Sequence, residues 1–210
     1  MTWSERAEAA AARYRGGEKR GLDQRQLTQL ANAAWAAGLC LLMDGRRDES
    51  AAWLRRAAGR YRESWEAGAP PDSWGRPIAA MKALLIAGDD VSAAARWALD
   101  AGAASAESPI GRYAGTLALL VLGDDAEAAV LAATLQGRDD FPDTVADTVF
   151  ALAAGDAGGY RAALESVLAS FEERTEFLED VAVADTVLAL QVLAAPRGLA
   201  VALRVSPRLP

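Results

Sequence analysis

The sequence predicts an all-α protein of about five helix hairpins, stacked as a short solenoid or as a compact bundle. Three observations carry this expectation. Alanine supplies 50 of the 210 residues and aromatics only 7%, a composition that favours helix over strand. A frame of bulky residue, Ala, Leu at +7 and Gly at +10 starts at Trp35, Ile78, Tyr113 and Val145. A fifth copy starts at Val183 and has Leu193 where the Gly belongs, so that the pentapeptide VADTV occurs twice, at 145–149 and 183–187. The copies begin 32 to 43 residues apart, the spacing of helix-pair repeats.

Taken in order, the elements expected are helices near 4–15, 23–44, 48–66, 74–87, 90–103, 109–122, 125–136, 142–154, 157–175 and 179–195. In the first helix of each pair, positions 0 and +7 lie two turns apart on one face, and the Ala beside the first lets a neighbouring helix approach closely. Gly at +10 ends that helix, where a left-handed residue costs least. Asp48, Ser50, Asp89, Ser92, Asp124 and Asp156 follow these glycines and are of the types that start a second helix. Pro77, Pro109 and Pro142 mark the starts of later pairs. The second helices are amphipathic: Tyr160, Leu164, Val167, Leu168 and Phe171 follow a helical period, as do Leu54, Ala57, Ala58, Tyr61 and Trp65. Each pair thus has a face that only stacking covers. The tail RGLAVALRVSPRLP is expected to be extended and to pack over the last helix. The length suits one domain spanning 1–210.

Composition also narrows function. The chain contains no His, which removes the commonest general base, metal ligand and pH switch. Its one Cys, Cys40, lies in the apolar stretch AAGLCLLM and reads as a buried small hydrophobe. The net charge of -7 is unevenly placed, with a small surplus of base in residues 1–100 and a large surplus of acid in 101–210. That asymmetry predicts a basic protein partner for the C-terminal half and argues against nucleic acid. The N-terminus is charged from residue 5 and lacks the apolar stretch of a leader, and the longest uncharged run, 26–43, is too polar to span a membrane. A cytoplasmic location, with no membrane association, is expected. Oligomeric state is left open.

Asp147 and Asp185 are the most informative polar residues, being equivalent in the frame and each followed by Thr. If the first helices line a concave surface, both carboxylates face it about 10 Å apart, placed to bind Arg or Lys of a partner. The alternative is that each offsets free N–H groups near a helix start. In the loop SWGRP, Trp74 and Arg76 are of the types that dominate protein interfaces, although Trp74 serves equally as a plug between helix pairs. A small-molecule pocket formed by Asp147, Asp185, Arg112 and Trp74 is the rival reading. The cluster Arg46, Arg47, Arg55, Arg56, Arg60 and Arg62 is interleaved with acids and reads as an ion-paired helix face. The DDxxD of Asp139, Asp140 and Asp143 is interrupted by Pro142 and reads as a helix-start loop rather than a metal motif. The two GDD stretches fit helix junctions, and RGGEKRG at 15–21 lacks the spacing of a phosphate loop. No catalytic residues, cofactor or metal are expected.

The spacing of Gly88 to Ala93 and Gly123 to Ala128 resembles the turn of tetratricopeptide repeats, which implies a TPR-like arrangement at the level of fold. The Ala-rich helical body ending in RGLAVALRVSPRLP resembles the C-terminus of immunity family 49 of bacterial polymorphic toxin systems, over about the last thirty residues. That resemblance implies a non-enzymatic protein that binds and neutralises a co-produced toxin.

Overall fold

The computed structural model describes residues 1–210. It contains ten α-helices and no strand: α1 Trp3–Gly17, α2 Gln24–Met43, α3 Arg47–Glu66, α4 Gly75–Ala87, α5 Ser92–Asp100, α6 Pro109–Leu122, α7 Asp125–Ala133, α8 Asp143–Ala154, α9 Ala157–Glu173 and α10 Asp185–Ala194. Short 3-10 turns lie at Ala103–Ser105, Leu178–Asp180 and Ala195–Arg197.

Local sequence accounts for the helix ends. Thr2 with Glu5 and Asp23 with Gln26 form reciprocal capping boxes at the starts of α1 and α2. The frame's glycines Gly45, Gly88, Gly123 and Gly155 all have positive φ. At each, the glycine N–H and the next N–H donate backwards to two carbonyls of the preceding helix, as Gly88 does to Leu85 and Asp89 to Leu84. The fifth copy obtains the same ending five residues late. Gly198, at φ 69°, caps the turn after α10, and Leu199 N–H donates to the Ala194 carbonyl.

From α1 to α9, consecutive helices pack against each other, and α4, α6 and α8 also form a layer. α4 divides the interior. Its Ala80 and Ala83 belong to a core with α1, α2 and α3, whereas Ile78, Met81 and Leu85 belong to a larger core that runs to Leu199.

The expected stacking fails at the last repeat. The helix expected over 179–195 begins only at Asp185, and the residues before it are a 3-10 turn at Leu178–Asp180 and an irregular stretch over 181–184 in which the Val183 N–H donates to the Val181 carbonyl at 2.9 Å. Val181 and Val183 are buried, with Ala182 between them half-buried, and both valines join the core of α1, α2 and α3. The Ala184 N–H donates to the Arg208 carbonyl at 2.9 Å. The chain therefore turns back instead of adding a rung, and α10 lies against α4 as well as α9. Val187, Leu190 and Leu193 enter the larger core while Leu188 packs on the smaller one, as befits a helix apolar on nearly every side. The tail then packs on α10, where the Gln191 side chain donates to the Val201 carbonyl and accepts from its N–H.

Candidate functional site

Asp185 is the first residue of α10, and its side chain is only 11% exposed. The Lys82 ammonium of α4, itself 12% exposed, lies 2.5 Å away and also donates to Thr186 Oγ1 at 2.9 Å. Lys82 is one of two lysines in the chain and the one charge in the apolar run AAMKALLIA. Two phenols lie within electrostatic reach of Asp185. Burial, reinforced by this carboxylate, pushes Tyr61 and Tyr113 well above the usual phenol range. Both phenols are therefore held neutral, and the Tyr61 hydroxyl donates to Asn32 Oδ1 at 2.7 Å.

Arg76, in the first turn of α4, reaches back over α3 and α2. Its Nε donates to Ser64 Oγ at 2.8 Å and its Nη2 to Gln24 Oε1. Ser64 in turn donates to the Gln24 carbonyl at 2.6 Å. Partial burial without a carboxylate partner holds Arg76 below its ordinary value. Arg112 is similarly occupied, donating from Nε to the Ala106 carbonyl at 3.0 Å. Trp74 is 6% exposed and serves as a plug: Trp65 lies 5.7 Å from both Trp74 and Trp97 by ring centroid.

Trp74, Arg76, Arg112 and Asp185 are thus each engaged with the protein's own groups. Asp147 lies elsewhere. It is exposed on α8, accepts from Gln136 Nε2 at 2.9 Å, and lines a shallow groove of about 380 Å³ with Phe150, Asp156 and Ala163. The two aspartates of VADTV are therefore not neighbours on one surface. Asp147 follows four helical residues of α8, whereas Asp185 opens α10.

Two carboxylates, Asp147 and Asp156, line that groove. Asp139, Asp143, Glu165 and Glu173 of the same stretch of chain are also exposed, none of the six has an ion-pair partner within 4 Å, and the one unpaired exposed cation among residues 139–173 is Arg161 on α9. A second groove of about 590 Å³, which sequence reasoning missed, lies between α3, α4 and α5, with Ala80, Leu84 and Trp97 among its lining residues and Arg55, Arg62 and Arg96 along it. Arg62 stacks over Trp97 at 4.8 Å while bonding Glu66. No group of three or more His, Cys, Asp or Glu side chains is placed to hold a metal ion. No helix is long and apolar enough to cross a membrane. No family model, curated protein or solved structure matches this chain, and the architecture rests on its geometry alone: consecutive helix hairpins whose last member folds back.

Proposed function

We propose that this chain is a non-catalytic, protein-binding helical module whose contact surface is the acidic face of α8 and α9. The observation that carries the reading is the surplus of exposed, unpaired carboxylates over residues 139–173, two of which, Asp147 and Asp156, line the groove. Surface charges left without internal partners repel one another in the free protein, and a basic partner relieves that repulsion on binding. The half-buried Phe150 adds an apolar contact inside the acidic rim, the arrangement of a polar-rimmed interface. A toxin co-produced with this chain is the finer identity we propose for the partner. That step leans on the resemblance of the C-terminal residues to immunity family 49.

The test is capture of partners from the source organism's lysate at low and high salt, with wild type beside Asp147→Lys/Glu165→Lys. Neither residue caps a helix or makes an ion pair. One basic partner, held at low salt and lost by the variant, supports the reading, and a growth assay of that partner with and without this chain then tests neutralisation. Equal capture by wild type and variant, or no partner at low salt, overturns it.

A further inference from the structure

A cavity of about 670 Å³ opens where the start of α1 meets the C-terminal segment. Three arginines line it, Arg6 from α1, Arg174 just after α9 and Arg208 from the tail. None of the three makes an ion pair within 4 Å, although ion pairs occupy the arginines on either side, Arg13 with Glu179 and Arg204 with Glu172. Arg208 makes no side-chain hydrogen bond; its Nε is buried without a partner, which leaves its terminal nitrogens as the donors free for a ligand.

The arginines are held by their faces. Arg6 stacks over Trp3 at 5.8 Å, Arg174 over Phe171 at 4.3 Å and Arg208 over Phe177 at 4.9 Å. A stacked guanidinium keeps its in-plane N–H donors for an oxyanion, which a stacked ammonium does not. Arg6 uses one donor on the Asp180 carbonyl, at 3.0 Å. One carboxylate, Asp180, also lines the cavity, and Glu172, already bound by Arg204 and Ser206, lies within electrostatic reach of Arg208. The lining is therefore cationic within a protein of net charge -7. Glu179 and Asp180 both adopt left-handed backbone, at φ 54° and 58°, a conformation uncommon for non-glycine residues. This places Asp180 beside the arginines.

We infer that this cavity is a binding site for a phosphate or diphosphate group carried by a small molecule. Its volume suits such ligands, and three fork-shaped donors match an oxyanion of charge two or more. The site is independent of the acidic face of α8 and α9. Because it joins α1 to residues 174–208, occupancy stabilises the closed position of the C-terminal segment.

The experiment is calorimetric titration of the full chain with pyrophosphate at low ionic strength, with sulfate as a comparison anion and melting temperature as a second readout. One saturable site per chain is expected, with pyrophosphate stronger than sulfate and raising the melting temperature. Arg174 is exposed and bonds no other side chain, so Arg174→Gln leaves the fold intact and weakens pyrophosphate by about tenfold, the loss of one charge-assisted donor. Asp180→Asn, which suits a left-handed position, tightens it by roughly threefold or more by removing the opposing charge. No saturable binding of pyrophosphate, wild-type affinity in Arg174→Gln, or weaker binding in Asp180→Asn each overturns the site. Sulfate binding as tightly as pyrophosphate overturns the ligand class.

Discussion

The Lys82–Asp185 pair fixes where α10 sits, and its energetic worth follows from its surroundings. Asp185→Asn leaves the Lys82 ammonium, 12% exposed, without a counter-charge and with only neutral acceptors, the Asn carbonyl oxygen and Thr186 Oγ1. Uncompensating a buried charge costs about 3–5 kcal/mol. The residual exposure of both partners places this site at the lower end, about 3 kcal/mol, or a fall in Tm of roughly 6–12 °C for a chain of this length. Lys82→Met is milder by about 1 kcal/mol, because the remaining carboxylate sits at the N-terminus of α10, where free N–H groups and the helix dipole favour it. The double variant recovers most of the loss, since neither charge is left unpaired. The assay is urea unfolding of all four proteins. All six tryptophans lie between residues 3 and 97, so their fluorescence reports the N-terminal helices while far-UV circular dichroism reports the whole chain. Coincident transitions license the cycle. A coupling energy below about 0.5 kcal/mol, the level of independent sites, would refute the reasoning.

Three other outcomes are expected. Gly115→Ala on α6 places its Cβ 2.9 Å from the backbone N and Cα of Ala104 and costs about 1–3 kcal/mol, whereas Gly59→Ala on α3, with nothing within 4 Å, stabilises by roughly 0.5–1 kcal/mol; chemical denaturation of both tests the opposite signs. Cys40 is wholly buried and burial pushes its thiol up to about 11, so a thiol reagent at pH 8 labels no cysteine in the folded protein and one in denaturant. Hydrogen bonds from Arg204 and Ser206 hold Glu172 below its ordinary value of 4.5. A depressed carboxylate contributes stability above its unfolded value and loses it as pH falls through the folded one, so proteolysis of residues 199–210 rises below pH 4.5 and does so less in Glu172→Gln, which has no carboxylate to titrate.

The helix hairpins were legible because their signals are local. A Gly at +10 needs only its own helix to form the cap seen at Gly45, Gly88, Gly123 and Gly155. The failure at the fifth copy has a non-local cause. VADTV is helical at 145–149, where Pro142 and Asp143 open α8, but its second copy contributes only its last three residues to α10. There Val183 is buried against α1–α3, Ala184 is buried in the larger core, and the Ala184 N–H is taken by the Arg208 carbonyl. The Lys82 partner was hidden for the same reason, since Thr186, which it also contacts, is 104 residues away. Leu193 in place of the expected Gly was the one local sign that the frame had changed. Trp74 and Arg76 were legible as distinctive residues but not in role, because a tryptophan that plugs a core and one that anchors a partner are the same letter until burial is known.

The fold-back of the last repeat separates two kinds of charge in this protein. Val181, Val183, Val187, Leu190 and Leu193 are all buried, and at about 1.5–3 kcal/mol for each buried aliphatic side chain their burial dominates the attachment of the C-terminal segment. The exposed Arg13–Glu179 pair adds at most about 1 kcal/mol, and the enclosed Lys82–Asp185 pair sets position more than affinity. Salt acts weakly on apolar burial and on an enclosed pair, and strongly on exposed charges beyond a Debye length of about 8 Å at physiological ionic strength. High salt should therefore leave α10 in its groove while it weakens anything bound to the unpaired carboxylates of α8 and α9. A partner released by salt without any change in the circular dichroism of this chain acts on that outer acidic face. A partner that survives salt and exposes residues 174–184 to protease has instead displaced α10 from the layer of α4, α6 and α8.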